Sequence, residues 1–377
     1  MSAGIQAVEV MATEDPRTVE ESFFEEYFTK FSKNFVDADK LARAKSICHF
    51  GTTITIATTD DVEEMEVPGY CIYATERRRV IKVETGRAGT TSVLKLRKIY
   101  PGVGERYRRK LLYKELRITQ YVQRCEEEIR QNKLDRFIAT CKPYWYMFNS
   151  YHGFELEYFP EGSLAQMPST LLHDNERLGL LRDAAQGLQF LNSLGIMHSD
   201  VKPSNFCVSM RADGTRIAKL IDLGSAKFAG EFINRCHMDD TPAYRPPELF
   251  PRLDLAHTGH DWVMVNPSAD SWRFGLCILE VMTRRSFHSL WSEAVPRDEL
   301  YKDFILVNGL MKSRSYIEPL KFIGLSTSSL PHCANKLIFY LIRHKAAERV
   351  NMDQVVNEIN EHLGFAQNVI ASSIAEH

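Results

Sequence analysis

The chain has 377 residues, of which 44% are hydrophobic and 25% charged, with 20 Gly and 15 Pro. This composition excludes collagenous, low-complexity and wholly disordered proteins. The 47 basic and 49 acidic residues give a formal net charge of −2. Near-neutrality removes the global electrostatic argument for a nucleic-acid or membrane-surface binder, so we expect no nucleic-acid partner.

The sequence shows no pattern typical of a membrane-spanning segment or a secretory signal. No apolar run approaches the roughly 18 residues that span a bilayer, and the first residues lack the basic-then-apolar order of a secretory signal. We therefore expect no membrane span and a cytoplasmic or nuclear location, unless a signal has been removed. The 8 cysteines contain no C-x-x-C pair, which disfavours zinc ribbons and disulfide frameworks and favours reduced, packed thiols.

The first 46 residues predict an acidic amphipathic extension. Residues 1–29 carry seven acids against one base. Aromatic side chains recur at helical spacing at Phe24, Tyr27, Phe28, Phe31 and Phe35. We expect this extension, residues 1–46, to be helical.

Short β-branched runs begin at Ile47. The runs ITIATT, YCIYAT, RVIKVE and SVLKLRKI are separated by turn-forming residues and predict an antiparallel sheet up to about Ile99. A basic helix over 105–124 and strands near 145–148 and 154–159 follow, and after Gly162 the pattern is mainly helical. The sequence thus predicts an α+β fold, with a small β-rich lobe over 47–160 and a mainly helical lobe over 161–377.

Two polar loops between apolar, strand-like runs carry the candidate chemistry. The first is His198-Ser-Asp200-Val-Lys202-Pro-Ser-Asn205, and the second is Asp222-Leu-Gly224. Two acids, a lysine and an amide on tight loops can bind a divalent metal, accept a hydroxyl proton and neutralise a transferring phosphate. This combination predicts phosphoryl transfer.

The two loops resemble the H-R-D-x-K-x-x-N and D-F-G motifs of the eukaryotic protein kinases. The resemblance runs in order over about residues 47–365. Pro246-Pro-Glu248 matches the family's A-P-E, and Asp270-Ser-Trp-Arg-Phe-Gly275 resembles its D-x-W-S-x-G helix. Arg349 stands where the family places the arginine that pairs with the A-P-E glutamate.

The resemblance implies a bilobal kinase fold that uses ATP and Mg²⁺. Ser92-Val-Leu-Lys95 looks like the V-A-I-K strand, and Glu115 is the best candidate for the ion-pair partner of Lys95. By resemblance, Lys95 grips the α and β phosphates, while Asn205 and Asp222 hold the metal. Leu156 would be the gatekeeper before a hinge, Glu157-Tyr-Phe159, that meets the adenine edge.

The substrate side is implied in the same way. Asp200 would orient the substrate hydroxyl, and Lys202 would neutralise the γ-phosphate during transfer. A lysine at this position, together with Thr241 ahead of the A-P-E-like segment, is the pattern of serine/threonine kinases. We therefore expect a protein substrate with a Ser or Thr acceptor.

The sequence departs from the family where a Gly-rich loop is expected. Counting back from Val80 puts its three glycines at Tyr73, Thr75 and Arg78, and none is glycine. The arginines at 77–79 either contact phosphate or form a solvated hairpin tip. The pattern resembles secreted kinases of apicomplexan parasites that lack this loop, a group with active members and pseudokinases; that resemblance implies secretion instead.

A second departure is Ser199, which replaces the H-R-D arginine. That arginine docks a phosphorylated activation loop in many family members, so we expect activation by such a phosphosite to be absent here. Constitutive competence and control by another surface both stay open. Two functions from different classes also stay open: an active serine/threonine kinase and a pseudokinase that acts as a scaffold or allosteric binding module.

Local charge indicates a contact surface. Residues 76–117 contain fourteen bases and four acids. This basic face either docks the acidic N-terminal extension and steadies the Glu115 helix or recruits an acidic partner.

Overall fold

The structure is a computed structural model that describes residues 6–9, 53–60, 63–74, 78–85, 90–99, 105–129, 137–148, 151–167, 172–211, 213–251, 260–285 and 330–364. By internal contacts the chain divides into two units, Met1–Lys133 with Ile138–Tyr158, and Leu134–Phe137 with Phe159–His377. The domain ranges 1–46, 47–160 and 161–377 stay a prediction. The aromatic pattern of the extension and its docking on the basic face lie outside the described residues.

The described residues of the first unit form an antiparallel sheet and one long helix. The sheet has the strand order β1-β6-β7-β5-β4-β3-β2. The strands are β1 (Gln6–Glu9), β2 (Thr53–Asp60), β3 (Glu63–Ala74), β4 (Arg78–Thr85), β5 (Thr90–Lys98), β6 (Cys141–Phe148) and β7 (Tyr151–Glu157), and the helix is α1 (Glu105–Ile129). The helix predicted for 105–124 is therefore confirmed and continues for a further turn.

The N-terminal extension was expected to be helical, and at Gln6–Glu9 this is wrong. These residues pair antiparallel with β6, with Gln6 opposite Met147 and Glu9 opposite Tyr144. An edge strand presents a row of unpaired backbone donors and acceptors, and a short segment satisfies them by adding a strand. The helical periodicity begins only at Phe24, so it carried no information about Gln6–Glu9.

Strand β5 shows why its lysine is available for chemistry. Ser92, Leu94 and Leu96 are buried, whereas Val93, Lys95 and Arg97 are half-buried on the other face, as the period of two along a strand requires. Strand β7 runs close to β5 at this point. A Cβ at Gly153 would lie 1.8 Å from the Lys95 carbonyl oxygen, so only glycine permits this approach.

The second unit is mainly helical with short two-stranded sheets. Among its described residues, the helices are α2 (Asp174–Ser193), α3 (Ser268–Thr283), α4 (His332–Leu341) and α5 (Met352–Leu363). Its strands pair as β8 (Ile196–Met197) with β11 (Lys227–Phe228), β9 (Phe206–Met210) with β10 (Arg216–Leu220), and β12 (Phe232–Asn234) with β13 (Trp262–Met264). An antiparallel sheet in the first unit and a mainly helical second unit confirm the predicted α+β class.

Helix α3 is buried over most of its length. Phe274, Cys277, Ile278 and Leu279 are fully buried. A Cβ at Gly275 would lie 2.8 Å from the Ile342 side chain, so this glycine allows close packing beside helix α4. The tight packing fixes the start of α3, which carries residues of the site described next. Within the described ranges, no helix has both the length and the apolar composition needed to cross a bilayer.

Candidate active site

Lys95 and Glu115 form an ion pair in the first unit. The Lys95 Nζ lies 2.5 Å from the Glu115 Oε1, and Glu115 is 2% exposed. Arg97, two residues along the same strand face, places a guanidinium nitrogen 3.4 Å from the Glu115 Oε2. The predicted pair therefore forms with a second cation that our motif matching missed, although the period of two along β5 indicates it.

The predicted hinge follows strand β7. Glu157 donates its backbone N–H to the Thr140 carbonyl at 2.9 Å, and its carboxylate accepts from the Thr140 N–H at 3.2 Å and hydroxyl at 3.3 Å. The Tyr158 ring lies 5.3 Å from the Lys82 Nζ. Phe159 belongs to the second unit, where its carbonyl accepts from the Gly162 N–H at 3.1 Å.

The segment where a Gly-rich loop was expected lies between β3 and β4. Tyr73 pairs with Val80 and Ala74 with Arg79, with a register shift between Cys71 and Tyr73. Residues 75–77 and the side chains of 73–79 lie outside the described residues. The loss of the glycine cradle and both interpretations of the arginines therefore stay predictions.

Asp200 is the centre of a hydrogen-bonded cluster in the second unit. Its Oδ1 accepts from the Thr241 N–H at 3.0 Å and from the Thr241 hydroxyl at 2.6 Å. Its Oδ2 accepts from the Lys202 Nζ at 2.7 Å, and Lys202 also donates to the Thr241 hydroxyl at 2.7 Å. The carboxylate is thus held in one orientation beside an ammonium group.

Asn205 and Asp222 supply oxygen atoms suited to a divalent cation. The Asn205 amide nitrogen donates to the Asp200 carbonyl at 2.8 Å, so the side-chain oxygen is the end that could bind a cation. One carboxylate and one amide oxygen fit Mg²⁺, which takes few protein ligands and completes its shell with water and substrate phosphates. The described residues contain no cluster of three or more His, Cys, Asp or Glu side chains able to hold a metal ion.

Strained backbone fixes both loops. Ser199 and Asp222 adopt left-handed φ values of 70° and 64°, which cost energy in residues other than glycine and occur at functional sites. His198 joins the loops, since its Nε2 lies 3.0 Å from the Ile221 carbonyl. Asp270, fully buried at the start of α3, accepts from the His198 N–H at 2.6 Å and the Ser199 N–H at 3.1 Å.

The predicted pairing of Arg349 with Glu248 is confirmed. The two guanidinium nitrogens of Arg349 donate to the two carboxylate oxygens of Glu248 at 2.6 and 2.7 Å. Tyr244, in the same segment, donates its hydroxyl to Glu280 at 2.7 Å. Burial, followed by the neighbouring Glu280 charge, raises the pKa of Tyr244 well above its usual value, so the hydroxyl keeps its proton and remains a donor.

A charged cluster beside Thr241 was not found by sequence reasoning. Asp240 accepts from Arg273 at 2.8 Å and from the Arg245 Nε at 3.0 Å. The Asp240 side chain is 1% exposed and that of Arg273 is fully buried. Arg273 occupies the serine position of the D-x-W-S-x-G pattern, and this exchange of serine for arginine in a buried helix was the available signal.

Comparison with known proteins agrees with this geometry. The protein kinase domain model matches residues 88–359. Similar proteins include the serine/threonine-protein kinase SBK1 of Danio rerio (28% identical; 47% of this chain, 45% of the relative) and the serine/threonine-protein kinase STE20 of Kluyveromyces lactis (30%; 41% and 14%). The inactive serine/threonine-protein kinase PLK5 of Mus musculus is 28% identical over 56% of this chain and 30% of its own. The match spans less than half the length of each of these relatives. The family model covers most of the length of this chain. The chain therefore belongs to the protein kinase domain family.

Proposed function

We propose that this chain is an ATP- and Mg²⁺-dependent protein serine/threonine kinase. The observation that carries the proposal is the Asp200 cluster, in which Thr241 and Lys202 orient one carboxylate with bonds of 2.6 to 3.0 Å. Family membership implies ATP, a divalent metal and a protein substrate in general terms. The choice of magnesium, catalytic competence and the type of acceptor are our proposals.

The cluster has the groups that phosphoryl transfer needs. A substrate hydroxyl oxygen attacks the γ-phosphorus, the bond from this phosphorus to the β–γ bridging oxygen breaks, and ADP leaves. The hydroxyl proton passes to the Asp200 carboxylate, and the Lys202 ammonium stabilises the negative charge on the transferring group. Lys95, fixed by Glu115, would hold the α and β phosphates.

Asn205 and Asp222 would hold the magnesium ion. When bound, Mg²⁺ neutralises charge on the β and γ phosphate oxygens. The tight turn at Asp222, whose Oδ1 also accepts from the Gly224 N–H at 3.4 Å, keeps the carboxylate in place before the nucleotide arrives. Such pre-ordering lowers the entropic cost of binding the metal and nucleotide.

Two contacts support a Ser/Thr acceptor. Lys202 bridges Asp200 and Thr241 with two bonds of 2.7 Å, so the segment from Thr241 is tied directly to the group that receives the proton. By resemblance, this bridge is the serine/threonine kinase pattern.

A pseudokinase is the second candidate function. The three positions where the Gly-rich loop is expected hold no glycine, and one relative is named as inactive. Losing one backbone donor to a transition state costs about 2.7–4 kcal/mol, so losing several would slow transfer severely.

Phosphate transfer from labelled ATP tests the proposal. The purified chain is incubated with ATP and Mg²⁺, alone and with a generic Ser/Thr substrate, and with EDTA as the metal-free arm. Lys95→Met should lower the rate about 10²-fold, because a phosphate-binding cation is lost. Lys336→Met is the matched control, since this lysine is also ion-paired, 2.6 Å from Glu358, and lies outside the site.

The kinase proposal is supported if phosphate transfer requires Mg²⁺, if its rate falls in Lys95→Met and if the rate in Lys336→Met equals that of the wild type. Absence of transfer, while ATP with Mg²⁺ still raises the melting temperature, favours a nucleotide-binding pseudokinase. Absence of both signals favours a scaffold that does not bind nucleotide.

A further inference from the structure

The segment between the metal-binding loop at Asp222 and the A-P-E-like motif has hydroxyl side chains, and each of them makes a hydrogen bond. Residues 224–248 contain three hydroxyl side chains, Ser225, Thr241 and Tyr244. Ser225 donates to the Asp239 carbonyl, the Thr241 hydroxyl contacts Asp200 and Lys202, and Tyr244 donates to Glu280. A phosphate on any of them would break an existing contact, so this segment is ordered by something other than its own phosphorylation.

A buried ion network supplies that order. Asp240 receives Arg273 from helix α3 at 2.8 Å and Arg245 from its own segment at 3.0 Å. Arg273 also donates to Asp270 at 3.3 Å. The side chains of Asp240, Asp270 and Arg273 are 1% exposed or less, and that of Arg245 is 10% exposed.

The network connects the two halves of the proposed catalytic cluster. On one side, Asp270 accepts from the backbone of His198 and Ser199, immediately before Asp200. On the other side, Asp240 is the residue immediately before Thr241, which donates to Asp200. Arg273 bridges these two carboxylates, so it fixes the spacing between the loop that carries the base and the segment that orients it.

Charge balance explains why the network is tolerated in the interior. Two carboxylates face two guanidinium groups, so the buried charges cancel. Burial raises the pKa of Asp270, and Arg273 opposes this shift. A buried network with every charge paired favours one arrangement over its alternatives, because a displaced member would leave a charge without a partner.

We propose that Arg273 and Asp240 are positioning residues that hold the Thr241 segment against the Asp200 loop, so that the site is assembled without activation-segment phosphorylation. This inference rests on the proposed kinase function for its catalytic consequence. Its structural part, the anchoring of Thr241, stands independently. The serine of the family pattern at position 273 could not form this bridge, because it carries no cation.

Hydrogen exchange at the Thr241 amide tests the anchoring, because that N–H is bonded to Asp200 at 3.0 Å. In Asp240→Asn and Arg273→Ser, exchange in fragments containing this amide should be about ten-fold faster or more, the effect of losing a charged hydrogen bond. Asp183→Asn is the matched control, since Asp183 is also buried and paired with an arginine, Arg182, at 2.8 Å. Arg273→Gln, which keeps a polar side chain but removes the cation, serves as a second variant if Arg273→Ser does not fold.

Transfer assays on the same proteins separate positioning from general stability. The wild-type chain, shown by mass spectrometry to be unphosphorylated, should already be active. Asp240→Asn should lower kcat about 10- to 100-fold through misplacement of Thr241. The KM for ATP should stay within about two-fold of the wild-type value, since the residues proposed to bind the nucleotide are unchanged.

Faster exchange at Thr241 in the network variants, with normal exchange in Asp183→Asn, supports the inference. Unchanged exchange in Asp240→Asn and in either Arg273 variant overturns it, whatever the transfer rates. Equal acceleration in Asp183→Asn also overturns it, because the effect is then a general loss of stability. Activity that appears only after phosphorylation of residues 224–248 overturns phosphorylation independence. An inactive wild-type chain with protected Thr241 refutes the kinase and retains the anchoring.

Discussion

Replacing Asp200 with asparagine should lower the rate of phosphate transfer to a Ser/Thr peptide by about 10²–10⁴-fold, the range for loss of a general base. Asparagine has nearly the same shape and its oxygen can still accept from Thr241. The asparagine amide group cannot accept the proton of the substrate hydroxyl. The substitution also removes the negative charge that attracts Lys202. Steady-state kinetics with varied ATP should show the loss in kcat, with the KM for ATP changed little.

The chain offers a closely matched control in Asp213→Asn. Asp213 accepts from the Thr215 N–H at 2.8 Å and from the Thr215 hydroxyl at 2.6 Å, the same pattern that Thr241 makes with Asp200. It lies on an exposed turn, so its variant should retain wild-type rates. Transfer by Asp200→Asn within ten-fold of the wild type would contradict the assignment of Asp200 as the proton acceptor.

Much of the site could be predicted from the order of motifs, because each motif has its own local structure. The Lys95 and Glu115 pair was identified through resemblance to the family's V-A-I-K strand and to the glutamate that the family places on the following helix. Tight loops with two acids identified Asp200 and Asp222, since the backbone there needs residues that tolerate turns. Arg349 and Glu248, 101 positions apart, were paired through the family pattern and not through any local signal.

What could not be predicted depends on contacts between distant residues without a shared motif. Asp240 and Arg273 are 33 positions apart, and although arginine at a family serine position marks Arg273, nothing in the sequence identifies Asp240 as its partner. The strand at Gln6–Glu9 was missed because a four-residue segment takes its structure from the edge it meets. The family match begins at residue 88, after the segment of the expected Gly-rich loop, so it leaves nucleotide binding to experiment.

The Arg349 site shows how strongly one side chain can hold the second unit together. Its guanidinium bonds Glu248 through two nitrogens and also donates to the carbonyls of Arg343 at 2.8 Å, Ser268 at 3.0 Å and His344 at 3.3 Å. It lies 5.2 Å from the Trp272 ring. The side chain is fully buried, whereas Glu248 is 29% exposed. Loss of the arginine therefore removes donors from three carbonyls and the partner of a half-buried carboxylate.

Arg349→Met should lower the free energy of unfolding by about 3–5 kcal/mol, the usual cost of removing one member of a buried ion pair. For a unit of this size the melting temperature should fall by roughly 10 °C, which calorimetry can measure on the full chain. Lys345→Met, which breaks an exposed pair 3.1 Å from Glu348, should cost about 1 kcal/mol or less. Equal shifts in the two variants would contradict the central role of Arg349. Arg349 joins Glu248 of the A-P-E-like segment to the Ser268 carbonyl at the start of α3, so a large, selective loss would show that this connection stabilises the second unit.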